Sequence, residues 1–312
     1  MKKHSNIRLI AFDLDGTLLT EKKVLTPRTR DILERLSDQG IVLLSTTGRA
    51  LSGIPDAVKV LSGARYALTS NGAGVYRRLD RDEHMLPAAW EGKIPSTVPD
   101  GLPSFELDSE AGYETVFENL MDHERALALI ADLAELEIMP DPFINGSCYM
   151  IKSKSYLIDR MAVTDSMKDY IRASRTKVDD MPAFLQDKDI QKITINFAAG
   201  EDGDRIDLEP TLRILEKYPE FIYVTGGIRN IEASDQKATK GDAMLRLADQ
   251  LGIRADEIVA FGDSENDITM LKAAGTGVAM ANSLDITKNA ADEITLSNDE
   301  DGVAVWLEKA FA

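Results

Sequence analysis

The sequence predicts an α/β protein: a doubly wound, Rossmann-like core built on a parallel sheet, with a second, inserted α+β domain. Three observations carry that prediction. Four short apolar runs each end in a small or acidic polar group, helical patterns lie between them, and the middle of the chain breaks this rhythm. Alternation of strands with helices gives a sheet covered on both faces.

The runs come first. Leu9-Ile10-Ala11-Phe12 leads into Asp13, and Ile41-Val42-Leu43-Leu44 into Ser45-Thr46-Thr47-Gly48. Tyr66-Ala67-Leu68 leads into Thr69-Ser70-Asn71-Gly72, and Ile258-Val259-Ala260-Phe261 into Gly262-Asp263. Unbroken apolar runs of this length suit strands buried on both faces. Thr26-Pro27 then reads as a helix N-cap and first helical residue, Ile32, Leu33 and Leu36 as the buried stripe, and Gly40 as the stop. A second helix starts at Thr239, with Asp242 as a capping-box-like partner. Met244, Leu245, Leu247, Ala248 and Leu251 form its stripe, and Gly252 ends it.

The middle of the chain differs. Pro87, Pro95, Pro99 and Pro103 make residues 87–112 loop-rich, and a helix from about Asp122 to Glu137 follows. Lys192-Ile193-Thr194-Ile195-Asn196-Phe197 alternates as a half-buried strand does. Another helix covers Leu208 to Lys217, before the strand Phe221-Ile222-Tyr223-Val224. This mixture of helix and antiparallel sheet places the insert at residues 84–233 and leaves 1–83 and 234–312 as a discontinuous core.

Composition narrows the function. The 312 residues provide for two domains at roughly 150 residues each. Apolar residues at 44% and charged residues at 29% exclude collagen-like, disordered and membrane-embedded classes. A formal net charge of −17 repels phosphate backbones and anionic lipid, which excludes nucleic acid and membrane as general partners. Lys2 and Lys3 imitate a signal peptide, but Arg8 and Asp13 cut the apolar stretch that follows. Cys148 is the single cysteine, so no internal disulfide forms, and a reducing, cytoplasmic location is expected. Cys148 and the two tryptophans, Trp90 and Trp306, read as packing groups. His4, His84 and His123 have no zinc-ligand spacing.

In open parallel sheets, ligands bind beyond the carboxyl ends of the strands. The groups found there are Asp13, Asp15, Thr46, Thr47, Asn71, Asp263, Asn266 and Asp267. Asp263 ends its strand and Asp267 stands on the first turn of the next helix, so both can face one point. Hard oxygen ligands without His or Cys favour Mg²⁺. Crowded carboxylates repel unless cations offset them, and here Mg²⁺ and Lys240 share that task. A lysine at a helix N-terminus opposes the helix dipole, a placement that makes sense where an anion binds.

These pieces resemble the haloacid dehalogenase superfamily, in its Cof-type branch (subfamily IIB). Asp13-Leu14-Asp15-Gly16-Thr17 matches the first motif, Asp-x-Asp-Gly-Thr. Thr47-Gly48-Arg49 resembles the second, and Lys240 in Thr239-Lys240-Gly241 the third. The run Gly262-Asp263-Ser264-Glu265-Asn266-Asp267-Ile268-Thr269-Met270 resembles the fourth, Gly-Asp-x-x-Asn-Asp-x-x-Met. Asn71-Gly72-Ala73 and Asp301-Gly302-Val303-Ala304 resemble further signatures of the branch, which inserts an α/β cap between the second and third motifs.

The resemblance implies a Mg²⁺-dependent phosphatase of small phosphorylated metabolites, sugar phosphates foremost. It implies that Asp13 is the nucleophile and forms an aspartyl-phosphate, while Asp15 is the general acid and then the base. Mg²⁺ is then held by the Asp13 side chain, the Asp15 backbone carbonyl and Asp263. Thr47 and Lys240 bind phosphoryl oxygens, Asn266 holds the phosphate or its ligands, and Asp267 orients Lys240. Thr46, Arg49 and Asn71 join the phosphate surround, with N–H groups at Gly48 and Gly72 as further donors. To give up a proton near neutral pH, Asp15 needs a raised pKa, expected from burial and neighbouring carboxylates. Substrate choice falls to the cap.

Other readings fail on spacing. Gly16 falls at the fourth place of an Asp13-based loop, where an EF-hand needs glycine at the sixth. Met280 stands where a dinucleotide fingerprint starting at Gly275 needs a small residue. Two alternatives share the motifs: a phosphomutase or phosphotransferase, which passes the phosphoryl group to a second hydroxyl, and a non-catalytic phosphometabolite sensor. Intact Asp13, Asp15, Lys240 and Asp263 argue against the sensor. Neither the physiological substrate nor the oligomeric state is written in these motifs.

Overall fold

The computed structural model describes residues 6–61, 63–79, 112–225 and 230–312. The start of the insert at 84, the loop-rich stretch over 87–111, Trp90, His84 and His4 lie outside the described residues. In chain order, the first five strands are β1 (Leu9–Asp13), β2 (Val42–Thr46), β3 (Tyr66–Thr69), β4 (Gly74–Arg78) and β5 (Tyr113–Glu118). Six follow: β6 (Ile138–Ile144), β7 (Ser147–Ile151), β8 (Arg175–Val178), β9 (Lys192–Phe197), β10 (Phe221–Thr225) and β11 (Ile231–Asp235). The last three are β12 (Ile258–Gly262), β13 (Thr276–Ala279) and β14 (Glu293–Ile294).

The larger sheet has eight strands in the order β14-β13-β12-β1-β2-β3-β4-β5. Its strands run parallel from β14 to β3, and β4 and β5 add antiparallel at one edge. β1 sits centrally and is buried throughout. Ile10 and Phe12 pack with Ile32, Leu33 and Leu36 on one face, while Leu9 and Ala11 pack with Met244, Leu247 and Ala248 on the other. That two-sided burial is why β1 reads as a continuous apolar run.

The covering helices begin as expected. The Thr26 hydroxyl accepts the Thr29 N–H at 3.2 Å, starting the helix Pro27–Asp38. The Thr239 hydroxyl accepts the Asp242 N–H at 3.1 Å and donates to the Asp242 carboxylate at 2.7 Å, starting the helix Lys240–Gln250. Trp306 packs edge-on against Phe261 in the core. Two helices of the middle region are shorter than expected: His123–Leu133 in place of Asp122 to Glu137, and Leu208–Leu215 in place of Leu208 to Lys217. The first stops early because β6 begins at Ile138, and the Glu137 N–H donates to Asp207 at 2.7 Å in the turn between.

The smaller sheet has six strands in the order β10-β11-β9-β6-β7-β8, antiparallel except between β7 and β8. One face carries Ile138, Ile144, Ile193, Ile195 and Phe197 beneath Leu129, Leu133 and Leu215. The other face carries Asp141, Lys192, Thr194 and Asn196, and it is buried too. At one end it meets a loop of the larger sheet, where the Lys192 ammonium donates to the Gly48 carbonyl at 2.5 Å, and elsewhere Met139 and Met150 on this face pack under Leu157, Ile158 and Ile171.

The bounds read from composition, 84–233, do not match this division. β5 falls inside them yet pairs with β4 in the larger sheet, and β11 crosses their end yet belongs wholly to the smaller sheet. A strand's own residues report how it is buried without reporting which sheet it joins. Among the described residues no helix is long and apolar enough to cross a membrane.

Candidate active site

β1 ends at Asp13 and β12 ends at Gly262, so Asp13 and Asp263 emerge side by side at the carboxyl edge of neighbouring strands. The first turn of the helix after Thr239 brings in Lys240, whose side chain has no exposure. Its ammonium donates to Asp13 Oδ1 and to Asp267 Oδ1, both at 2.6 Å. The other Asp267 oxygen accepts the N–H groups of Asp263 and Ser264, at 2.9 and 3.0 Å. Asp267 thus ties the lysine to the turn that presents Asp263. Asp263 accepts the hydroxyls of Thr17 at 2.7 Å and Ser264 at 2.9 Å.

Gly72 makes this assembly possible. It takes a φ of +109°, and a Cβ there would lie 2.4 Å from the Thr239 carbonyl oxygen. The turn after β3 can therefore press directly on the start of the Lys240 helix.

Electrostatics follow from one buried lysine among several carboxylates. Burial pushes the Asp13 carboxyl well above its ordinary range; Lys240 opposes this, and Asp267, Asp263 and Asp15 add to it. Asp263 is pushed up to about 6, by burial first and the Asp267 charge second. Burial alone would lower Lys240, but Asp13 and Asp267 hold its pKa above the lysine value, so it stays charged. Carboxylate oxygens of Asp13, Asp263 and Asp267 lie within 4.8 Å of one another. This excess of hard, negative oxygen donors fits a divalent cation of the Mg²⁺ type. Asp13 and Asp263, at the ends of neighbouring strands, are the side chains suited to hold it, while Asp267 is engaged by the charged Lys240 and two backbone N–H groups.

Asp15 departs from expectation. Its carboxylate is gripped by both arms of Arg49, at 2.6 and 2.7 Å, and pairs with Lys23 at 2.6 Å. Burial would raise its pKa, but these cations outweigh it and hold Asp15 at about 2. The expected rise is therefore corrected to a fall: a bidentate guanidinium is a stronger influence than the neighbouring carboxylates.

The second-motif loop divides its roles. Thr47 is buried and its hydroxyl accepts the Arg49 N–H at 3.1 Å. Thr46, also expected in the phosphate surround, turns inward, and its hydroxyl meets the Met270 sulfur at 3.4 Å. It is the last residue of β2 and shares Leu44's face, so it belongs to the interior. Asn71 donates to Glu232 at 2.5 Å and accepts from Asn266 at 3.0 Å. Gly48 lies beside them, since a Cβ there would come within 3.0 Å of Asn71. The structure therefore gathers Asp13, Asp263, Asp267 and Lys240 tightly. It places Asn71, Gly48 and Asn266 in a second group, and pairs Asp15 with Arg49.

Sequence reasoning missed Thr17, Ser264, Lys23, Tyr170, Lys192 and Glu232. Thr17 and Ser264 stand inside recognised motifs, so proximity to Asp263 was a usable signal. Tyr170 lies under Arg49, with the guanidinium 5.0 Å from the ring centre, and nothing in the sequence links positions so far apart.

Known proteins share this arrangement of chain. The sequence signature of the haloacid dehalogenase-like hydrolases matches residues 10–87 and 109–307. Phosphatase YwpJ of Bacillus subtilis is 28% identical over 318 residues, spanning 97% of this chain and 99% of its own. The 5-amino-6-(5-phospho-D-ribitylamino)uracil phosphatase YwtE of the same organism is 28% identical over 326 residues, spanning 98% and 99%. A solved haloacid dehalogenase-like hydrolase from B. subtilis superposes with a TM-score of 0.74 at 26% identity, covering 97% of this chain and 99% of that one. With its signature matched across both sheets, the chain belongs to the haloacid dehalogenase-like hydrolases and is a phosphatase.

Proposed function

We propose that this phosphatase hydrolyses monoesters of small phosphorylated metabolites, with Mg²⁺, through an aspartyl-phosphate on Asp13. The observation that carries the reading is the buried Lys240 bridging Asp13 and Asp267 at the end of β1. Mg²⁺, held by Asp13, Asp263 and the Asp15 backbone carbonyl, supplies charge compensation for an anionic ester. An Asp13 oxygen forms the new bond to phosphorus as the bond to the leaving alcohol breaks, which splits one hard displacement into two easier ones. Lys240 keeps its proton and neutralises non-bridging oxygens, with Thr47 beside it. Ionised Asp15 is poised as the base that takes a proton from water in the second step. To donate a proton in the first step, its carboxyl must leave Arg49 and Lys23, whose charges hold it ionised.

The smaller sheet and its helices serve as a cap that excludes water and meets the leaving group. Sugar phosphates are the favoured class, supported by the polar sheet face above the site and by YwtE, named for a phosphorylated ribityl substrate. Cys148, the single cysteine, is buried and unpaired, so the chain uses no internal disulfide, and this supports a reducing cytoplasmic setting.

The test is phosphate release across a phosphometabolite panel, after chelation and after Mg²⁺ is restored. Wild type should release phosphate only with the metal, and Asp13→Asn should lose at least roughly a thousandfold in rate. Activity retained in Asp13→Asn, or isomerised sugar phosphate formed without free phosphate, would contradict the reading.

A further inference from the structure

One outer edge of the larger sheet is covered on a single face. β14 is the last strand there, two residues long, and β13 is its strand partner. Its filled face meets the helix Gly302–Ala310. Trp306 of that helix donates to Glu293 at 2.9 Å, and the Thr295 hydroxyl donates to the Gly302 carbonyl at 2.6 Å. Glu293 and Thr295 therefore face the helix, and Ile294 and Leu296, alternating with them, face the opposite way.

The opposite face has too little helix to cover it. β12, β13 and β14 step outward in one direction, so right-handed crossovers put the helices Ile268–Ala273 and Asp285–Lys288 on the same face. The first packs Met270 and Leu271 into the core with Met244 and Leu247. The second is a single turn. Around it Leu284, Ile286, Ile294 and Leu296 stay 63%, 56%, 58% and 43% exposed. The Leu296 carbonyl accepts the Ala281 N–H at 3.3 Å, which brings Leu296 beside the chain that leads into Leu284. Seven large apolar side chains are exposed among the described residues, and four of them fall in this one segment. Single exposed leucines are ordinary, but a cluster marks an interaction surface.

We infer that two copies of this chain meet on this face around a two-fold axis. At roughly 180 Å² for a fully exposed leucine or isoleucine, the four fractions leave roughly 400 Å² open. A standard interface buries about 800 Å² per partner, of which about 57%, or roughly 450 Å², is apolar. The patch thus supplies most of the apolar share of one side. Its charges suit a second copy. Lys288 lies in the chain between Asp285 and Asp292, and among the described residues Lys288 and Asp285 form no ion pair. A two-fold contact presents the lysine of each copy to the acids of the other. That local attraction offsets the repulsion between two chains of net charge −17.

Sedimentation velocity over protein concentrations from roughly 1 to 100 µM tests the interface. Wild type should approach twice the 34.3 kDa chain mass as concentration rises. Ile294→Lys and Ile286→Lys each put a charge into the patch and should weaken dimerisation by at least roughly tenfold. Lys288→Glu should weaken it too, by turning attraction into repulsion. Leu212→Lys, at an exposed leucine of the helix Leu208–Leu215, should leave it unchanged. Circular dichroism and phosphate release, matched to wild type, separate lost association from lost folding. A wild type that stays monomeric throughout this range overturns the interface. So does a dimer that Ile294→Lys and Ile286→Lys leave as tight as Leu212→Lys does. A monomer whose patch instead binds a basic amphipathic peptide also overturns it.

Discussion

Asp141 shows what burial does to a single carboxyl. Burial raises its pKa from 3.8 to about 7, against Arg175 and the Asn196 hydrogen bond, which lower it. A raised native pKa means the native state binds the proton more tightly than the unfolded chain does. Its stabilising effect is therefore complete below about pH 4 and is lost as pH rises toward about 7. Asp141→Asn lacks this titration. Wild type should lose stability relative to Asp141→Asn, by on the order of a few kcal/mol, between about pH 4 and about pH 7 in urea unfolding. Parallel pH profiles of the two proteins would contradict the assignment. At this scale Asp13, Lys240 and Asp263 were legible in the sequence, because each sits at a strand or helix end within a compact motif. The protonation of Asp15 was not, because it depends on Arg49 and Lys23, which reach it only in the folded chain.

Elements carry the site's precision, and Gly72 tests it. Ala at this position strains a positive φ and drives its Cβ into the Thr239 carbonyl, displacing the helix start that bears Lys240. Gly40 shares a positive φ of +86°, but a Cβ there would meet nothing within 4 Å, so Gly40→Ala isolates the backbone cost. Gly40→Ala should lose about 1–2 kcal/mol of stability and keep its kcat/KM. Gly72→Ala should lose more stability and roughly a hundredfold in kcat/KM, as a small misplacement of a reacting group does. Equal kcat/KM in the two variants would show that this contact does not position Lys240. The four apolar runs were legible as strands because both of their faces are apolar. β9 was read as half-buried because its polar face suggested solvent, whereas that face is buried: Lys192 meets the Gly48 carbonyl at one end, and Met139 and Met150 beside it pack under Leu157, Ile158 and Ile171.

For the molecule as a whole, an interruption between the two motif-bearing halves was visible in composition, but its edges were not. β5 is an edge strand of the larger sheet, and its membership is set by pairing with β4, distant in the chain, rather than by its own residues. The net charge of −17 also bears on the whole surface, yet Lys240, Arg49 and Lys192 turn local cations toward the site. The central claim is covalent: the phosphoryl group rests on Asp13 before water releases it. Asp15→Asn leaves the nucleophile and weakens the base for the second step, so the phosphorylated protein should accumulate. The decisive measurement is acid-quenched labelling of Asp15→Asn with a phosphate ester of a good leaving group, followed by peptide mapping. Near-stoichiometric, hydroxylamine-labile phosphate on Asp13 is expected. Label on any other residue, or turnover with no protein-bound phosphate at any time, would contradict it.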